Sequence, residues 1–86
     1  MTHELLAKRM RSLRVARGMS QQQVAKAIGI HRPAMTLIED GRRKMNSLEL
    51  YKLCKLYGVM VDALFMGEKD WQHIMVEVTS DEGVWR

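Results

Sequence analysis

The sequence predicts an all-α fold: five short helices in one compact body, followed by a short extension. Three observations carry this. Apolar residues recur at steps of three and four from Leu5 to Tyr57. Two of the helices open on reciprocal capping signals. A glycine closes each predicted helix: Gly18, Gly29, Gly41, Gly58 and Gly67.

The first helix follows Thr2, a capping residue, and carries Glu4 in its first turn. Leu5, Leu6, Met10, Leu13 and Ala16 form its apolar face, and Lys8, Arg9, Arg11, Arg14 and Arg17 surround that face. The second helix begins at a capping box of Ser20 and Gln23, with Met19 and Val24 as a hydrophobic staple. Val24, Ala25 and Ile28 form its inner side. Only Ile30 and His31 separate Gly29 from the third helix, which Pro33 starts near Arg32, because proline suits a first turn where no intrahelical N–H is needed. Met35 and Ile38 are spaced to point inward; Arg32, Pro33, Thr36 and Leu37 point outward.

The basic loop Gly41–Asn46 leads to a second capping box, Asn46 with Glu49, and a second staple, Met45 with Leu50. Leu50, Leu53, Cys54 and Tyr57 give the inner face of the fourth helix. A short fifth helix is expected from about Val61 to Met66. The expected division is therefore residues 1–67 as a helical domain and residues 68–86 as an extension. In that extension Ile74, Val76 and Val78 alternate with Met75, Glu77 and Thr79, which reads as a strand over residues 72–79, followed by a turn at Ser80–Gly83. A lone strand can neither satisfy its backbone nor bury its face. It would fold back on its own domain, remain a disordered tail, or pair with the same segment of a second chain, with Trp71, Ile74, Val76 and Val78 as the dimerisation face and Trp71 or Trp85 packed nearby.

Charge divides along the same line. Residues 1–67 carry 12 Lys and Arg against 5 Asp and Glu, whereas residues 68–86 carry 2 against 5. A basic body with an acidic tail suits a polyanionic partner. The composition offers little else. One cysteine, Cys54, allows no internal disulfide, which fits a reducing cytoplasm. The three histidines and Cys54 suit no common metal site, and no phosphate loop or nucleophile motif occurs, so no cofactor and no enzymatic activity are expected. No run reaches transmembrane length and no signal-peptide core is present, so no membrane partner is expected.

A helix, a glycine-centred turn and a second short helix make a helix-turn-helix pattern. With Met35 and Ile38 anchoring it, the second of these helices can offer Arg32, Thr36 and Leu37 to a major groove. Arginine bonds guanine bidentately, threonine bonds a base edge or phosphate, and leucine packs on a thymine methyl.

From about Leu5 to Gly67 the sequence resembles the Xre family, which includes the phage repressor (lambda repressor-like) and Cro domains. The resemblance is carried by "RSLRVARGMSQQQVAKAIGI", "MTLIEDG" and "LYGVMVDALF". It implies a five-helix domain that binds double-stranded DNA, usually as a homodimer on a two-fold operator, as a transcriptional regulator. Within it, Gln21 falls where a glutamine contacts phosphate. His31, Arg32, Pro33, Thr36 and Leu37 fall at the recognition-helix contacts, and Arg42, Arg43 and Lys44 in the basic loop. Arg14 and Glu39 fall on a buried structural ion pair. His31 stands where serine or threonine often caps the third helix, and Leu37 where a polar residue often reads a base. The competing class is a protein-interaction module, such as an antitoxin or partner-binding regulator, in which the apolar tail binds another protein.

Overall fold

The computed structural model describes residues 1–80. Five α-helices and one 3₁₀ turn follow in order: α1 His3–Ala16, α2 Gln21–Ile28, α3 Arg32–Glu39, α4 Ser47–Tyr57, the 3₁₀ turn Val61–Phe65, and α5 Glu68–Ser80. The helix starts are where the side-chain chemistry places them. Thr2 Oγ1 accepts from the Leu5 N–H at 3.1 Å. Ser20 and Gln23 exchange bonds of 3.1 and 2.8 Å, and Asn46 and Glu49 exchange bonds of 2.8 and 3.0 Å. Each box satisfies two backbone N–H groups that the helix itself would leave open. The staple residues Met19, Met45 and Leu50 pack against the core.

Met10 and Leu13 from α1, Val24, Ala25 and Ile28 from α2, Met35 from α3, and Leu53, Cys54 and Tyr57 from α4 form that core. Leu64 of the 3₁₀ turn and Trp71 and Val78 of α5 complete it. Burial pushes the Cys54 thiol pKa up, away from thiolate chemistry.

One expectation is overturned here. Residues 72–79 are helical, not a strand. The alternation of β-branched residues sits on a longer helical pattern: Trp71 and Val78 are buried and Ile74 and Met75 half-buried, which is the i, i+3, i+4, i+7 stripe of one helix face. A helix satisfies its backbone internally, which a lone strand could not do, and Glu68 and Asp70 in its first turn complement the helix dipole. Consequently Trp71 and Val78 lie inside the chain's own core and are withdrawn from the expected dimerisation face, while Val76 stays 62% exposed. Most of the expected turn at Ser80–Gly83, and Trp85, lie outside the described residues.

The helical period sets Arg9 beside the apolar face of α1, and the structure takes its side chain inside. It is 2% exposed. Its Nη1 donates to the carbonyls of Leu64 at 2.9 Å and Met66 at 2.6 Å, and its guanidinium stands 4.8 Å from the centroid of the Trp71 ring. A desolvated cation over an indole is an attractive pair. Arg17 acts similarly at two helix ends: Nε donates to the Tyr57 carbonyl at 2.8 Å and Nη1 to the Val78 carbonyl at 3.2 Å. Cations placed on C-terminal carbonyls cap those helices. These arginines explain why residues beyond 67 close onto α1.

Candidate nucleic-acid interface

The turn between α2 and α3 depends on Gly29, whose φ of +80° is left-handed. The Ile30 N–H returns to the Ala25 carbonyl at 2.9 Å and seals the end of α2. His31 then caps α3 in extended conformation without a side-chain hydrogen bond, and Pro33 lies in the first turn. The departure at His31 therefore leaves the start of α3 uncapped by a side chain.

Met35 and Ile38 are buried on the inner side of α3. Arg32 and Pro33 are exposed and Thr36 and Leu37 half-buried. These four line one open depression. His31 is exposed beside it.

Behind this face runs a chain of polar contacts. Arg14 Nε and Nη2 donate to Glu39 Oε2 and Oε1 at 2.7 and 3.1 Å. Arg14 Nη1 donates to the Met19 carbonyl at 2.9 Å, the residue before the cap of α2. Gln21 Nε2 donates to Glu39 Oε1 at 3.0 Å. Thr36 Oγ1 donates to Gln21 Oε1 at 2.8 Å, with the Arg32 carbonyl 3.3 Å away. The Glu39 hydrogen bonds raise the Arg14 pKa further above its already high value. The Tyr57 hydroxyl is buried without a hydrogen-bond partner among the described residues, and its burial, with the negative charge of Glu39 nearby, pushes its pKa far up, so the phenol stays neutral. One network thus fixes α1, the start of α2 and the middle of α3 relative to one another.

The basic loop divides. Arg42 and Lys44 are exposed. Arg43 is held by Glu49 through bonds of 3.0 and 2.9 Å. Glu49 is the same residue that closes the capping box of α4, and the Arg43 guanidinium holds its carboxyl below the usual carboxylate range. That the loop's cations are unequal was not legible, although Glu49 lies six residues beyond Arg43. Among the described residues no His, Cys, Asp and Glu cluster could hold a metal ion, and no helix is long and apolar enough to cross a membrane.

This arrangement, a short helix braced on its inner side and laid bare outside, defines the helix-turn-helix class. The family model for a helix-turn-helix domain matches residues 5–64, and the chain belongs to that family. It is 28% identical over 58 residues to an uncharacterized HTH-type transcriptional regulator of Archaeoglobus fulgidus, spanning 67% of this chain and 83% of the relative. The crystal structure of the clp gene regulator ClgR from Corynebacterium glutamicum is similar in fold, with a TM-score of 0.71 at 23% identity, over 98% of this chain and 86% of that one.

Proposed function

We propose that the chain is a sequence-specific DNA-binding transcriptional regulator, acting as a repressor and bound as a homodimer to a two-fold operator. The observation that carries the reading is the outer face of α3: Arg32, Pro33, Thr36 and Leu37 form one accessible surface while Met35, Ile38 and Glu39 anchor the helix beneath it. The similarity to an HTH-type regulator and the basic body support it. In this reading Arg32 reads a base edge, Leu37 and Pro33 give apolar contact, and His31 borders the groove. Gln21, Arg42 and Lys44 hold phosphates. Arg43 shares its guanidinium with Glu49 and adds less. Self-association is supported by the apolar residues left exposed at Met60, Val61, Phe65, Met66 and Val76. In a dimer the two recognition helices sit about 34 Å apart, one turn of duplex.

The test is a paired titration on a duplex selected from a random pool and on a random-sequence duplex. Arg32→Ala should cost about 1–3 kcal/mol on the selected duplex and relax preference at one base pair. Arg42→Ala should weaken both duplexes and lower the salt slope by about 1. If Arg32→Ala weakens both equally, Arg32 is a phosphate clamp and sequence is read elsewhere. If the wild-type chain retains neither duplex, the face binds something other than DNA, and the protein-interaction reading takes its place.

A further inference from the structure

We propose that Thr36, although it lies on the outer face of α3, is a positioning residue: it orients the Gln21 amide toward a DNA phosphate and does not read a base. The inference rests on the DNA-binding reading above and assigns a role within that site.

A threonine hydroxyl has a single proton to give. Thr36 directs it at Gln21 Oε1, 2.8 Å away, and among the described residues the only other acceptor that it approaches is the Arg32 carbonyl at 3.3 Å. Both lie within the protein, so toward a base the hydroxyl retains only lone pairs. The recipient is held at its other end too, because Gln21 Nε2 donates to Glu39 Oε1 at 3.0 Å. Reversing the amide would set its carbonyl oxygen against the Glu39 carboxylate, so one orientation is selected. Glu39 itself cannot turn, since Arg14 grips both of its oxygens. A planar amide fixed at both ends has lost its rotation before any ligand arrives, and such preorganisation reduces the entropy lost on binding.

What the clamp leaves over is one N–H of Gln21 Nε2, engaged by no described residue. Gln21 is the first residue of α2, immediately after the Ser20 cap. The N–H groups of that first turn precede the helix's own hydrogen-bond ladder and point away from its body. The spare amide proton and the backbone donors therefore belong to one end of one helix, where a phosphate oxygen accepts from both. Thr36 sits on α3 yet serves a contact made by α2.

Gln21→Ala, Thr36→Val, Thr36→Ser and the double variant Gln21→Ala/Thr36→Val separate this from base reading. Each is titrated on the selected and the random duplex across a salt series, with thermal unfolding alongside. Thr36→Val should weaken both duplexes by the same factor, about 3- to 10-fold. The salt slope should not change, because a neutral amide releases no counterion. The double variant should bind no more weakly than Gln21→Ala alone, since the threonine acts through the glutamine. Thr36→Ser, which keeps the hydroxyl, should recover binding to within about twofold of wild type. A Thr36→Val protein that loosens preference at one base pair while holding random DNA normally would overturn the proposal. So would effects of the two single variants that multiply, or a shift in thermal midpoint with no change in affinity. Failure of the wild-type chain to hold either duplex sinks the DNA reading itself, and this inference with it. Every other contrary outcome falls on Thr36 alone.

Discussion

Among the described residues stand two arginine–glutamate forks of almost the same shape. Arg14 meets Glu39 at 2.7 and 3.1 Å, and Arg43 meets Glu49 at 3.0 and 2.9 Å. Their settings differ. The Arg14 and Glu39 side chains are 12% and 1% exposed, those of Arg43 and Glu49 36% and 9%. The first joins two helices through residues 25 positions apart; the second spans six residues across a loop. Bond lengths therefore do not reveal what a pair does. A fork removed from water is a fixed joint, because neither partner can be left alone there. A fork whose arginine is 36% exposed shapes a loop, and solvent competes for that guanidinium.

The largest expected effect tests that contrast directly. Glu39→Ala leaves Arg14 without its carboxylate beside the core and should lower stability by about 3 kcal/mol in urea denaturation. Replacing both partners, Arg14→Met with Glu39→Leu, should cost less than the single change, because no unpaired charge remains. Equal losses in the two proteins would mean that the joint behaves like a surface pair. Glu49→Ala should destabilise less than Glu39→Ala, and the difference from wild type should shrink in roughly 1 M salt, where exposed charges are screened within about 3 Å. The loss from Glu39→Ala should persist at that salt concentration. A third contrast lies in pH. Because Arg43 holds the folded Glu49 carboxyl below its ordinary value of 4.5, its stabilisation is complete above that value. It is lost as pH falls through the lowered folded value. Urea midpoints of wild type and Glu49→Gln should therefore converge as acid is added below pH 4.5. The smallest effect concerns DNA. Arg43→Ala should lower the salt slope by less than Arg42→Ala, since an arginine paired with Glu49 presents little net charge to a phosphate. Equal slopes would show that DNA breaks the outer fork open.

What the sequence discloses follows from how local the signal is. Both capping boxes lie within four consecutive residues, and both form as read. The inward turn of Met35 and Ile38 follows from spacing alone. Arg9 was opaque because its acceptors, Leu64 and Met66, are 55 and 57 residues away and are backbone carbonyls, which carry no mark in a sequence. The helix at Glu68–Ser80 was hidden differently. Ile74, Val76 and Val78 favour strands intrinsically, and the burial of Trp71 against Arg9 outweighs that preference. At the candidate site, the residues on the outer face of α3 were legible from the helical period. The engagement of Thr36 with Gln21 was not, since it depends on how two helices cross.

The buried Arg9 also orders events in time. During synthesis at about 5–20 residues per second, the 55 residues between Arg9 and the first of its carbonyl acceptors take roughly 3–11 s to add. Throughout that interval the guanidinium has no internal acceptor and stays hydrated, which holds the adjoining flank of α1 open to solvent. Closure waits for Leu64, Met66 and Trp71, so the last step of folding belongs to the most recently made helix. Nascent chains arrested before residue 64 should remain susceptible to protease within α1, and chains arrested after α5 has emerged should not.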